Sequence, residues 1–329
     1  MKRLGGMAVV FASLVTASTS ALAQKASPAA DYPTKPIRMI VPFAPGGGTD
    51  IIGRLVAQEL GQAWGHTVVV DNRGGGGGTI GTNLAAKATP DGYTMVLCSL
   101  GISYAPALYA KLPFDPLKDL VPISLVATQP FVYVVIPTLG VNSMKELIAL
   151  AKAKPGQLRY GSGGAGGSSH LGTELLRTMT GIDLVHVPYK GTGPALTAML
   201  SGEIHMQLIG ISSVVPHMKS GRMRALAVSG AKRSAAAPEV PTVAESGVPG
   251  YAFDVWYGMF FPAGTPRAIV AKTNAEINRA LKSPALAQRF AGVGVEPAGT
   301  TPEAFGKMLR SEIAKWRKVV AQANIRLEQ

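Results

Sequence analysis

Two stretches of this chain place glycines and small hydroxyl residues where a helix begins. The first is Ala44-Pro-Gly-Gly-Gly-Thr-Asp50, entering the helical pattern Ile51-Ile-Gly-Arg-Leu-Val-Ala-Gln-Glu-Leu60. The second is Gly161-Ser-Gly-Gly-Ala-Gly-Gly-Ser-Ser169, entering a pattern from His170 to Met179. A helix N-terminus carries amide N–H groups without intrahelical partners and a partial positive charge. A glycine loop that lets a ligand approach such an end makes an anion site. Thr49 and Asp50 stand where a helix cap is expected. A glycine turn that only reverses the backbone is the rival reading, and the return of the same unit about 120 residues later favours the site.

Chemistry beyond anion capture finds less support. The five histidines show no zinc spacing, so no metal or other cofactor is expected. Only His170, beside Ser168 and Ser169, invites a Ser–His proposal, and no Gly-x-Ser-x-Gly elbow is present. Gly76-x-Gly78-x-x-Gly81 and Gly161-x-Gly163-x-x-Gly166 match the dinucleotide pattern only formally, because glycine runs satisfy it easily. Cys98, the single cysteine, lies in the apolar run Met95-Val-Leu-Cys98 and reads as a small core residue. An enzyme using the Ser169/His170 loop is the runner-up.

Strands delivering such loops to helices recur along the chain. Met39–Phe43, Thr67–Val70, Tyr93–Leu97 and Leu158–Tyr160 read as strands, each followed by a helical pattern. Ile123–Ala127 and Phe131–Pro137 read as two strands separated by Gln129-Pro130, and Pro106–Lys111 as a short helix. Further strands are expected near 183–188, 205–211 and 224–229, a loop-rich segment at 233–250, and a long strand at 253–261. Two helices, about 267–282 and 302–323, close the chain. Alternating β and α elements predict an α/β fold of mostly parallel sheets flanked by helices. One anion-ready loop in each half predicts two lobes facing across a cleft, as in a Venus flytrap. The lobes are placed at 31–128 plus 256–329 and at 129–255, with crossovers near Thr128–Pro130 and Asp254–Trp256.

The first residues, Met1-Lys-Arg-Leu, an apolar run from Met7 to Val15, and Ala21-Leu-Ala23, have the form of a secretory signal peptide cleaved after Ala23. Residues 24–30 form a leader, and an exported, periplasmic location follows. Hydrophobic residues make up 47% of the chain and charged residues 16%, ample for a folded core. The net charge of +13, or +11 once the two basic residues of the signal segment are removed, favours acidic small ligands. Lys and Arg are scattered and no aromatic–basic motif occurs, so no nucleic-acid partner is expected.

The motifs Tyr32-Pro-x-Lys-Pro-Ile-Arg38, Val41-Pro-Phe-x-Pro-Gly-Gly-x-Thr-Asp50, Pro90-Asp-Gly-Tyr93, Tyr189-Lys-Gly191, Gly221-x-x-Arg-Ala-Leu-Ala-Val228 and Pro241-Thr-Val-Ala-Glu-Ser-Gly247 resemble the Bug-type solute-binding proteins of tripartite tricarboxylate transporters. The resemblance covers essentially the whole exported chain. It implies a monomeric periplasmic binding protein that closes over a small carboxylate and meets membrane permease subunits. It also implies ligand contacts at Gly47, Gly48, Thr49 and Asp50 of the first loop and at Ser162, Gly163, Ser168, Ser169 and His170 of the second. Ser99, Gly101 and Tyr189 join them. Asp50 suits the role of loop organiser better than direct contact, since a bare acid repels a carboxylate. Many members carry an Asp-Asn pair where this chain has Leu208-Ile-Gly-Ile-Ser212, which predicts an apolar wall suited to an aromatic or alkyl acid. Service to a signalling receptor instead of a transporter is the alternative binding role.

Overall fold

The computed structural model describes residues 30–322, so the expected signal segment lies outside the described residues. Apolar strand runs ended by glycine loops fold as β–loop–α units. Strand β1 (Ile37–Val41) leads into α1 (Gly48–Trp64), β2 (Val68–Asn72) into α2 (Thr79–Ala86), and β3 (Thr94–Ser99) into α3 (Gly101–Leu108). β1 pairs in parallel with both β2 and β3, and Met39 and Ile40 at its centre are wholly buried. After β4 (Leu120–Val135) and α4 (Met144–Ala153), the pattern repeats: β5 (Arg159–Ser162) with α5 (Ser168–Thr180), then β6 (Val185–Pro188) with α6 (Thr192–Leu200). β7 (Met206–Gly210), the short α7 (Val215–Lys219) and β8 (Arg224–Val228) follow. β9 (Asp254–Pro262), α8 (Arg267–Leu281), α9 (Pro284–Gly292), β10 (Glu296–Pro297) and α10 (Pro302–Gln322) complete the described chain.

The strand order is β2-β1-β3-β9-β4-β7-β5-β6, with β8 and β10 also paired to β4. Parallel pairs occupy the two flanks, whereas β9 and β4 run antiparallel to their neighbours in the centre. The sheet is therefore mixed, with the parallel β–loop–α units arranged outside an antiparallel crossing.

That crossing replaces the two strands expected around Gln129-Pro130. β4 is one strand of 16 residues. Through Pro130 it pairs with β9, ending at Pro130 opposite Asp254; from Phe131 it pairs with β7. A proline cannot donate to a ladder, and this one stands where the partner changes. Ser229 pins the place. Its Oγ accepts from Phe131 N at 3.0 Å and donates to the Phe253 carbonyl at 2.6 Å.

Two helices depart from expectation. α3 starts at Gly101 and contains Pro106, because burial of Ile102, Tyr104, Ala105 and Leu108 outweighs the hydrogen bond that the proline removes. α9 was not anticipated, although Ser283, whose Oγ caps Leu286 N, and Pro284 at the first helical position are start signals.

Candidate ligand-binding site

The two glycine loops are built alike. Gly46 and Gly166 both have positive φ, at 86° and 72°, a backbone region that glycine enters freely. The next residues, Gly47 and Gly167, are the N-caps of α1 and α5, with φ/ψ of −82°/168° and −75°/168°. Neither helix has a side-chain cap. Ser143 caps α4 and Ser283 caps α9, whereas α2, α3, α6, α7 and α8 also lack a side-chain cap, so what sets α1 and α5 apart is the glycine loop that leads into each. The first turns at Gly48-Thr49-Asp50 and Ser168-Ser169-His170 thus keep amide donors without a capping side chain, the arrangement that receives an anion.

A clamp closes each loop from the fourth residue on. In the first, Asp50 Oδ2 accepts from Gly46 N at 2.9 Å. In the second, His170 Nδ1 accepts from Gly166 N at 3.0 Å. Asp50 is 3% exposed, and both its oxygens are engaged by Arg54 and Asn72. Burial alone would raise its pKa, but the Arg54 guanidinium, the Gly46 N–H and the Asn72 amide outweigh burial and hold the carboxyl below its usual range. Thr49 and Asp50, expected to cap the helix, lie instead inside its first turn after the N-cap Gly47, and Asp50 ties the loop through the Gly46 N–H.

The sign of this shift gives an acid-side prediction. A carboxylate with a depressed native pKa stabilises the fold above its ordinary value, about 3.9, and that contribution vanishes as pH falls through the native value. Urea unfolding between pH 5 and 3 is expected to show a loss of stability that Asp50→Asn flattens. An unchanged slope in the variant would contradict the assignment.

Other elements bring the two loops together. The Tyr257 hydroxyl on β9 donates to Gln129 Oε1 at 2.8 Å, and it lies 2.8 Å from where a Cβ on Gly48 would stand. Gln129 also lies against Gly210 at the end of β7, within 3.2 Å of a Cβ placed there. Ser99, opposite Tyr257 in the ladder, is buried with its Oγ 3.7 Å from the Cβ position of Gly101. The Tyr104 hydroxyl is 3.5 Å from that same position and 3.2 Å from Ser168 Oγ. Gly48, Tyr257, Ser99, Gly101, Tyr104 and Ser168 therefore form a contact path from one loop to the other. Tyr104, Gln129 and Tyr257 were missed from sequence, where nothing but the register of β9 on β3 and β4 could have placed them.

Several expected residues sit behind this surface. Ser162 is fully buried; its Oγ bonds to the Gly164 carbonyl at 3.0 Å, to Gly164 N at 3.2 Å and to His186 Nε2 at 2.6 Å. Gly163 is held by Gly191 N donating to its carbonyl at 3.0 Å. Ser169 is buried, and its carbonyl accepts from Thr173 Oγ1. The Tyr189 hydroxyl donates to Glu203 at 2.8 Å, its ring lies against Gly161 with Cε2 3.6 Å from the Cβ position there, and its N–H reaches the Ser162 carbonyl. His170 uses Nδ1 for Gly166, so that atom does not pair with Ser169.

The apolar wall expected from Leu208–Ile211 is core instead. Leu208 packs on Gly172, 2.4 Å from the Cβ position there, while Ile209 faces Val132 and Val214 in a second cluster. Alternation along β7 sends the two side chains to opposite faces, both covered. Burial pushes the Cys98 thiol up to about 12, and it contacts Thr82, in keeping with a core residue. Among the described residues, no group of three or more His, Cys, Asp or Glu side chains could hold a metal.

A sequence profile described as the tripartite tricarboxylate transporter family receptor matches residues 52–325. The chain belongs to this family. It is 40% identical to protein BugT of Bordetella pertussis over 299 residues, spanning 90% of this chain and 92% of that one. Its fold matches the R. palustris protein Rpa4515 with adipate, at a TM-score of 0.86 and 36% identity, covering 90% of this chain and all of the other. MatC of Rhodopseudomonas palustris with bound malate gives a TM-score of 0.82 and 32% identity, covering 88% of this chain and all of MatC. The chain thus belongs to a family of periplasmic solute-binding receptors, and no described helix is long and apolar enough to cross a membrane.

Proposed function

We propose that this receptor captures a small aliphatic carboxylate between its two glycine loops and delivers it to the permease of a tripartite transporter. One carboxylate rests on the first-turn amides of α1, and a second carboxylate or hydroxyl on those of α5. The observation that carries this reading is the matched pair of uncapped helix ends, linked by the Tyr104–Ser168 contact. Adipate and malate on two relatives support it. So do the Tyr104 and Ser168 hydroxyls beside the α5 end, which suit an acid with a second polar group better than an aromatic one. The lobes are 31–128 with 256–329, and 129–255; they close about Gln129-Pro130 and Asp254–Trp256, where β4 changes partner.

A thermal-shift panel of succinate, malate, adipate, benzoate, phosphate and NAD tests this function. A ligand that binds only the native state stabilises it by about 2.7 kcal/mol at 100-fold excess over Kd. A shift with a di- or hydroxycarboxylate is expected. A shift confined to NAD or phosphate would contradict the proposal.

A further inference from the structure

Behind the second loop lies a group of titratable side chains that the first loop lacks. His170 of α5 and His186 of β6 stack in parallel, 4.0 Å between centroids and 5° between planes. Tyr160 of β5 stacks on His186 at 4.8 Å, and its hydroxyl donates to Glu174 at 2.6 Å. Glu174 also receives Arg177 at 2.8 and 3.0 Å and faces His170 Nε2 at 3.9 Å. Arg177 reaches on to Asp183, and Tyr133 of β4 stands beyond Tyr160. Each imidazole holds one part of the loop: His170 the Gly166 amide, His186 the Ser162 hydroxyl.

We propose that His170 and His186 are positioning residues for the second glycine loop, and that protonation of the pair releases the loop and weakens carboxylate capture in acid. This rests on the carboxylate reading of the site. The argument is stereochemical. To accept from Gly166 N–H, Nδ1 of His170 must be unprotonated; a proton there sets donor against donor. Two imidazolium rings stacked face to face also repel, and Glu174 offers limited relief because Arg177 and Tyr160 already occupy it. The same position in the first loop is Asp50, a clamp that stays an acceptor down to low pH. Falling pH therefore reaches the His170 clamp before the Asp50 clamp. Burial holds both imidazoles below their ordinary basicity, and the neighbouring His170 helps to bring His186 down to about 4. The sign follows: the loop is intact where both rings are neutral and is lost as pH falls through their lowered values.

The test needs no ligand, so its failure would leave the carboxylate reading standing. The ligand-free protein, labelled with ¹⁵N, is titrated from pH 7.5 to 3.5, a range that spans both rings. The Gly166 amide resonance is expected to shift with the same midpoint as the His170 ring, below the ordinary histidine value of about 6.5. In His170→Asn, which keeps an acceptor that cannot titrate, the Gly166 amide should hold its position across the range. A Gly166 amide that ignores the His170 titration, or moves identically in the variant, would overturn the proposal. Should that variant fail to fold, His170→Gln serves, since its amide oxygen also accepts without titrating: a Gly166 amide that still moves across the range would overturn the proposal.

Discussion

Replacing Gly48 by valine is expected to weaken carboxylate binding at least ~100-fold, about 2.7 kcal/mol, in a chain that still folds. Gly48 is the first residue of α1, and a Cβ there would meet the Tyr257 hydroxyl at 2.8 Å and Gln129 Oε1 at 3.4 Å. Tyr257 cannot yield cheaply. It is 3% exposed and spends its hydroxyl proton on Gln129. Valine therefore moves the loop or breaks that bond, and its methyl groups cover the first-turn amides that would receive the carboxylate. The backbone itself tolerates a side chain, because Gly48 has no positive φ, so the cost to stability is that of local overpacking, about 1–3 kcal/mol. Alanine should give a smaller loss of the same kind. Isothermal titration with the acid that shifts melting most will decide: a folded Gly48→Val with unchanged affinity would remove the first loop from the site.

The second large effect is expected at Trp316, far from any loop in sequence. Its ring on α10 is 1% exposed and meets Tyr104 and Phe253 edge to face, each at 5.7 Å. Its indole N–H donates to Glu312 at 3.1 Å. Trp316→Ala leaves a cavity between α3 and the approach to β9, at a cost of about 3–5 kcal/mol. Tyr104 loses its support in the same step, and with it the contact to Ser168 of the second loop. The variant should therefore show both a lower urea midpoint and weaker binding. Trp316→Phe, which keeps an aromatic face toward Tyr104, should recover most of both. A destabilised variant with full affinity would detach Tyr104 from ligand capture.

What could be read from residues alone was local. The glycine loops, the helices they start and the role of Asp50 follow from backbone chemistry confined to a few positions, Gly46 to Asp50 and Gly166 to His170. The crossing of β4 and β9 was legible only in part. Gln129-Pro130 was read as a break because proline disfavours a ladder locally; the pairing of Pro130 with Asp254 involves residues more than a hundred positions away. The same distance hid Tyr104, Gln129 and Tyr257, whose importance comes from register. Leu208 misled for a related reason. An apolar residue near a ligand loop can face the cleft or the core, and only the alternation of β7 against Gly172 sends it inward. α9 is a different kind of miss, since Ser283-Pro284 announced it.

The most direct test of carboxylate capture by two helix ends is a crystal structure of the receptor with its tightest acid from the panel. We expect carboxylate or hydroxyl oxygens at hydrogen-bonding distance, about 2.7–3.2 Å, from first-turn amides of both α1 and α5, with Tyr104 beside them. The ligand lying instead in the separate groove lined by Met218, Met223, Arg224 and Val240, a cavity of about 480 Å³, with both helix ends facing water, would contradict it.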